Sequence, residues 1–169
     1  MKKFQLFYDY ECPYCKKGYE TLIKLLPLYP QVEIEWRPIE AHPKPEDHHP
    51  HTDLAVMSFY IAIDLGADMD KYHALMYQAI SIERRNVEDP EILFNIIKNL
   101  VDRNKFMELL GSGKYTFRAE ENNDLAYEKE DVWFVPAFRA GSLKLDSKGS
   151  IGVSNDEVKD FLNKLTGSL

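Results

Sequence analysis

Lys3-Phe4-Gln5-Leu6-Phe7-Tyr8-Asp9-Tyr10-Glu11-Cys12-Pro13-Tyr14-Cys15 is the stretch that decides the fold. Its first six residues are largely aromatic and apolar and stop at Asp9, which reads as a short, largely buried strand. In Lys16 to Leu26, Tyr19, Leu22, Ile23 and Leu26 fall on one helical face, and Pro27 and Pro30 bracket the end. Apolar and charged residues then alternate through Val32-Glu33-Ile34-Glu35-Trp36, as in a half-buried strand. Strand, helix and strand with short joints make a βαβ unit.

Both cysteines stand where the first strand gives way to the helix. Pro13 suits the first helical position. The unpaired N–H groups of that turn then face the Cys12 sulfur and favour thiolate over thiol. The thiolate is the species that attacks a disulfide. Cys15 returns to the same side of the first turn, close enough to attack a mixed disulfide formed at Cys12. The spacing assigns attack to Cys12 and resolution to Cys15. Other uses of the pair fit less well. A structural zinc ion needs four ligands, and the nearest histidine is thirty residues away. A structural disulfide closing so short a loop contributes only about 2 kcal/mol. Two inert thiols do not require Pro13 between them.

Beyond the second strand, residues 38–52 hold four prolines and four histidines (His42, His48, His49, His51) and read as loop. Histidine intervals of six, one and two residues match no recognised ligand frame, so no metal is assigned there. Residues 53–130 read as all-helical. Leu54 to Leu65 is apolar on nearly every side, as a buried helix is, with Asp53 as its cap and Gly66 as its stop. A second helix starts at Asp68 or Asp70 and runs through Ile80. A third spans Pro90 to Val101, Phe106 to Leu110 is a short continuation, and 114–130 is a charged amphipathic helix. Strand character returns at Trp133 to Ala140 and at Ser142 to Asp146. The last helix opens on a Ser154/Glu157 capping box and ends at Gly167. Tyr8, Tyr10, Tyr14, Phe59, Tyr60, Trp133 and Phe134 are candidates to line an apolar pocket above the cysteines; most of them read as plain core, with Tyr14 exposed.

The 169 residues, 44% hydrophobic and 29% charged, suit one domain with an insertion. A net charge of −7 argues against nucleic-acid and anionic-membrane partners. No apolar run has the length of a secretory core or a membrane span, so the chain reads as cytoplasmic.

From Asp9 to Cys15, between strand and helix, the sequence resembles the active-site start of the thioredoxin superfamily. It is most similar to the DsbA-like branch, which carries a helical insertion between the halves of the thioredoxin fold. Three features carry the resemblance: the matched halves around residues 53–130, the pair Val135-Pro136 after the insertion, and Asp9 three residues before the first cysteine. The last is a mark of cytoplasmic members related to 2-hydroxychromene-2-carboxylate isomerases. The resemblance implies an α/β, thioredoxin-like fold with an all-helical insertion. Residues 1–52 and 131–169 would be the thioredoxin-like domain and 53–130 the insertion. It implies a thiol–disulfide oxidoreductase working through Cys12 and Cys15 without a cofactor, on disulfide or thiol substrates that are proteins or small molecules, glutathione included. Pro13, Tyr14, Val135 and Pro136 would bind substrate, with Pro136 cis and Val135 offering backbone groups. Phe134 stands where many relatives have glycine. Leu6 stands where some bury an acidic proton-transfer group. Glu11 beside the nucleophile would raise its pKa, with Lys16 or Lys17 to offset it. Two rival readings are a glutathione-dependent isomerase or transferase, in which a serine usually replaces the first cysteine, and a metal-binding module built on the histidine loop.

Overall fold

The computed structural model describes residues 1–168. Strands β1 (Lys2–Tyr8), β2 (Val32–Pro38), β3 (Ala137–Ala140) and β4 (Leu143–Asp146) form one sheet in the order β2-β1-β3-β4. β1 and β2 are parallel, and helix α1 (Pro13–Leu25) makes the crossover that a parallel pair requires. β3 is antiparallel to both β1 and β4. β1 is central and covered on both faces. Phe4, Leu6 and Tyr8 enter one core cluster, while Phe7 enters another with Ile39, Ala126, Val132 and Ala137. The alternation follows from the two-residue period of a strand.

Helix α7 (Asn155–Thr166) closes the chain on the first of these faces. Its Phe161 meets Phe4 edge-on with ring centroids 5.4 Å apart, and Phe138 completes the aromatic trio. The capping box forms as read: Ser154 accepts from the Glu157 N–H, and Glu157 accepts from the Ser154 N–H at 2.8 Å. Gly167 ends the helix in the left-handed region, at φ 73°.

Between β2 and β3 lie five helices: α2 (Asp53–Asp64), α3 (Met69–Tyr77), α4 (Pro90–Ile97), α5 (Arg103–Gly111) and α6 (Phe117–Asp124). α2 is the most buried, as its apolar sequence required. An aromatic cluster welds this block to the sheet. Tyr8, Tyr10, Tyr19 and Trp36 pack against Phe59, Tyr72, His73 and Tyr77, with Trp36 and His73 only 4.3 Å apart between centroids. Burial pushes the His73 imidazole down to about 3, so it is neutral at physiological pH, and its Nδ1 lies 2.9 Å from the Tyr10 hydroxyl.

Several boundaries differ from the sequence reading: α3 stops at Tyr77 and passes into a π turn at 78–82, α4 stops at Ile97, and four further differences each have a local reason. Asp53 is the first residue of α2; Thr52 precedes it and spends its hydroxyl on Asp9 instead of a cap. Residues 103–111 form a helix of their own because Asp102 caps it through the Lys105 N–H. Residues 114–116 are a turn after Gly113 (φ 78°), and α6 starts at Phe117 before widening into a π turn at 125–129. Trp133 to Pro136 lie outside the sheet. Pro136 has no N–H for the ladder, and Asp131 sits at φ 53°, so the chain reaches β3 only at Ala137.

Candidate active site

The site forms where the C-terminal end of β1 meets the N-terminus of α1. Cys12 is the extended residue that starts the helix, with Pro13 in its first turn. Its carbonyl accepts the first helical hydrogen bonds, from the N–H groups of Cys15 at 3.1 Å and Lys16 at 3.2 Å. Both cysteines are free thiols, 3.5 Å apart. Cys12 is half-buried and Cys15 fully buried. The Cys12 Sγ also lies 3.8 Å from the Val135 carbonyl oxygen. The Val135–Pro136 peptide is cis.

These contacts split the two thiols electrostatically. The Cys12 thiol is held below its usual range, first by the hydrogen bond from Cys15 and then by the Cys15 and Tyr14 backbone N–H groups; burial and the Asp9 charge oppose this. The Cys15 thiol is pushed well up, first by burial and then by its bond to Cys12. The partner thiol therefore outweighs the helix N–H groups that the sequence reading emphasised.

Glu11, the acidic neighbour of Cys12 in sequence, is paired with groups from elsewhere in the chain. Its carboxylate is buried and bound by His48 Nε2 at 2.5 Å and by Arg84 Nη1 at 3.5 Å, both outside the motif. Lys16 pairs with Glu20 on its own helix. The carboxylate that does oppose the thiolate is Asp9, only 1% exposed. Asp9 accepts from the N–H groups of Ala41 at 2.7 Å and Glu11 at 3.0 Å and from the Thr52 hydroxyl at 3.1 Å. Burial nevertheless raises it to about 6.

A raised carboxyl has a definite consequence for stability. The fold prefers the protonated form, so the stabilising contribution of Asp9 is complete below the unfolded value of about 3.9 and is lost as pH rises through about 6. Relative to Asp9→Asn, the wild-type protein is expected to lose about 2 kcal/mol between pH 4 and pH 7. Urea unfolding of both proteins across that range measures it. Parallel curves would mean that Asp9 is not shifted.

A cavity of about 470 Å³ opens over Cys12, with Pro13, Tyr14, His42, Phe134 and Val135 among its walls. Pro136 is not one of them. It is buried behind the cysteines, and its ring packs on α1 at Gly18. Tyr14, expected to be exposed, is half-buried against Gly152. Trp133 and Phe134 are 80% and 56% exposed and frame the mouth. The loop that carries them is clamped by Arg139 of β3. Its guanidinium donates to the Glu130 and Asp131 carbonyls and to Asp146 Oδ1 at 2.6 Å. The sequence reading missed His42, Gly149 and Ser150 on the walls, and the clamp at Arg139. A charged residue inside an apolar strand was the one available signal for the clamp.

A thioredoxin-like fold with a helical insertion, and a thiol pair at the first strand–helix junction, define the class. The DSBA-like thioredoxin domain matches residues 4–165, and the chain belongs to that family. A "probable DsbA oxidoreductase" from Streptomyces coelicolor superposes with a TM-score of 0.84 at 14% identity, over 100% of this chain and 92% of that one. A thioredoxin-like oxidoreductase from Silicibacter pomeroyi gives 0.68 at 18% identity, over 99% and 87%. DsbA from Pseudomonas aeruginosa gives 0.67 at 18% identity, over 98% and 84%. No curated protein matches by sequence. Among the described residues, no helix is long and apolar enough to cross a membrane.

Proposed function

We propose that this chain is a thiol–disulfide oxidoreductase whose working pair is Cys12 and Cys15. The carrying observation is the pair itself: two thiols 3.5 Å apart, one held toward thiolate and the other kept protonated by burial. The Cys12 thiolate attacks a substrate disulfide, forming a mixed disulfide and releasing one substrate thiolate. Cys15 then gives up its proton and attacks the Cys12 sulfur. The second substrate thiol leaves, and the protein pair is oxidised as the substrate is reduced. Asp9, whose charge raises both thiols, is the buried base we assign to that proton. The reverse sequence oxidises a dithiol substrate. Pro13, Tyr14 and Val135 line the substrate cavity, the Val135 carbonyl accepting from the incoming backbone or thiol, while Pro136 backs the site. In this reading residues 1–52 and 131–169 make the thioredoxin-like domain and 53–130 the insertion. Disulfide or thiol substrates, glutathione among them, need no further cofactor.

Equilibration against graded glutathione and dithiothreitol buffers tests the assignment. Both cysteines are expected to convert together as one two-electron couple with a single midpoint. The pH dependence of alkylation should place the Cys12 inflection below the free-thiol value of about 8.5. A pair that stays reduced throughout, or two cysteines that titrate independently, would end the assignment.

A further inference from the structure

The four histidines of the loop after β2 separate into two pairs. His42 and His48 stack with centroids 4.0 Å apart, and each is bound to a different carboxylate, Glu46 and Glu11. His49 and His51 instead converge on one: Glu88, from the turn before α4. We propose that His49, His51 and Glu88 form a binding site for a divalent transition-metal ion of the zinc type, independent of the cysteine pair.

One ligand atom from each of the three residues falls within 4.8 Å of the others. Two imidazoles and a carboxylate are a donor set that such ions accept, with the fourth position left to water. The orientation of His51 points the same way. It is 6% exposed, and its Nε2 lies 2.9 Å from the Glu46 carbonyl oxygen. A carbonyl only accepts, so that nitrogen carries the hydrogen. Nδ1 is then left facing Glu88 Oε1 at 2.9 Å, an acceptor turned on an acceptor unless a positive species joins them. A second proton does this, and so does a metal ion. Fixing one ring nitrogen on a backbone carbonyl is also how ligating histidines are commonly held. Glu88 is positioned in turn: its N–H donates to Asn86, and the next residue, Asp89, caps α4.

His49 Nδ1 lies 2.7 Å from the other Glu88 oxygen. Bonds of about 2.0–2.1 Å in a tetrahedral site set ligand atoms roughly 3.3 Å apart, so loading must lengthen the two imidazole–carboxylate contacts by about half an ångström. His49 is exposed and free to swing by that amount. The open position faces a shallow cavity that Arg84 also lines, and Arg84 is already bound to Glu11 at 3.5 Å. The histidine intervals alone match no ligand frame, and the third donor, Glu88, lies 37 residues beyond His51.

Zinc titration of the full chain carrying Cys12→Ser and Cys15→Ser, followed with a competing chromophoric chelator, isolates this site from the thiols. One equivalent should bind with micromolar or tighter affinity. His49→Ala and Glu88→Gln should each weaken it at least tenfold, and His42→Ala, in the same loop, should leave it unchanged. His49 and Glu88 are not core residues, so these variants test the site even if His51→Ala fails to fold. Cobalt in place of zinc should show a visible spectrum without sulfur charge-transfer bands. No zinc binding at all, equal weakening by His42→Ala, or full binding by the His49 and Glu88 variants would overturn the proposal and leave a plain ion pair.

Discussion

Cys12→Ser is expected to lower turnover of a small disulfide or of insulin by about a hundredfold or more, with the fold intact. The only thiol left is Cys15, which burial holds well above the ordinary range. A thiol with a pKa above about 8.5 is less than about 3% ionised at pH 7, so ionisation alone already disfavours attack by Cys15 relative to Cys12. Burial then denies that sulfur access to a bulky disulfide, since Cys15 is closed off while Cys12 borders the cavity. Cys15→Ser should fail differently. Its Cys12 thiolate still attacks, so a mixed disulfide should accumulate and be visible by mass as one substrate adduct at Cys12. Cys15→Ala, which removes the hydrogen bond that contributes most to lowering Cys12, should move its alkylation inflection upward. The pair of results separates two chemistries on this fold. In a glutathione-dependent isomerase, where serine commonly stands at the first position, Cys12→Ser would retain most activity. That outcome would exclude the dithiol mechanism.

The second large effect is expected far from any ionisable group. Gly18 lies inside α1 facing Pro136, and a Cβ there would stand 2.9 Å from the Pro136 Cγ and 3.5 Å from Val153. A proline ring on a loop clamped by Arg139 has little room to retreat. Gly18→Val should therefore destabilise by about 1–3 kcal/mol through overpacking. For a chain of this size that is a fall in Tm of roughly 2–12 °C. Activity should fall further than stability does. Pro136 carries the Val135 carbonyl that faces the Cys12 sulfur, and a displacement of about 1 Å at a reacting centre costs up to a hundredfold in rate. Gly111→Ala is the control. A methyl group added there would meet nothing within 4 Å, so neither Tm nor turnover should drop. A Gly18→Val protein with wild-type turnover would show that the loop behind the cysteines tolerates movement.

Much of the architecture was legible because it is local. The alternation in β2, the one-sided apolar face of α1, the all-round apolar surface of α2 and the Ser154 capping box are each properties of a dozen residues or so. So is the placement of two cysteines around Pro13 at a helix start. Helix ends were less legible. Whether Thr52 or Asp53 caps α2 depends on Asp9, 43 residues upstream, claiming the threonine hydroxyl. The strand expected from Trp133 begins at Ala137 because register with β1 and the loop conformation, not β propensity, decide it.

The amino-acid sequence alone determined where the thiols stand, at a strand–helix junction and within one helical turn of each other, since that follows from helix geometry and from the fit of Pro13 to the first helical position. Tertiary structure alone decided their charge environment. Glu11 is the acidic neighbour in sequence, yet it is bound by His48 and Arg84, while Asp9 is the carboxylate the thiolate feels. Coulomb interactions and desolvation depend on distance and burial, which chain separations of 37 and 73 residues do not reveal.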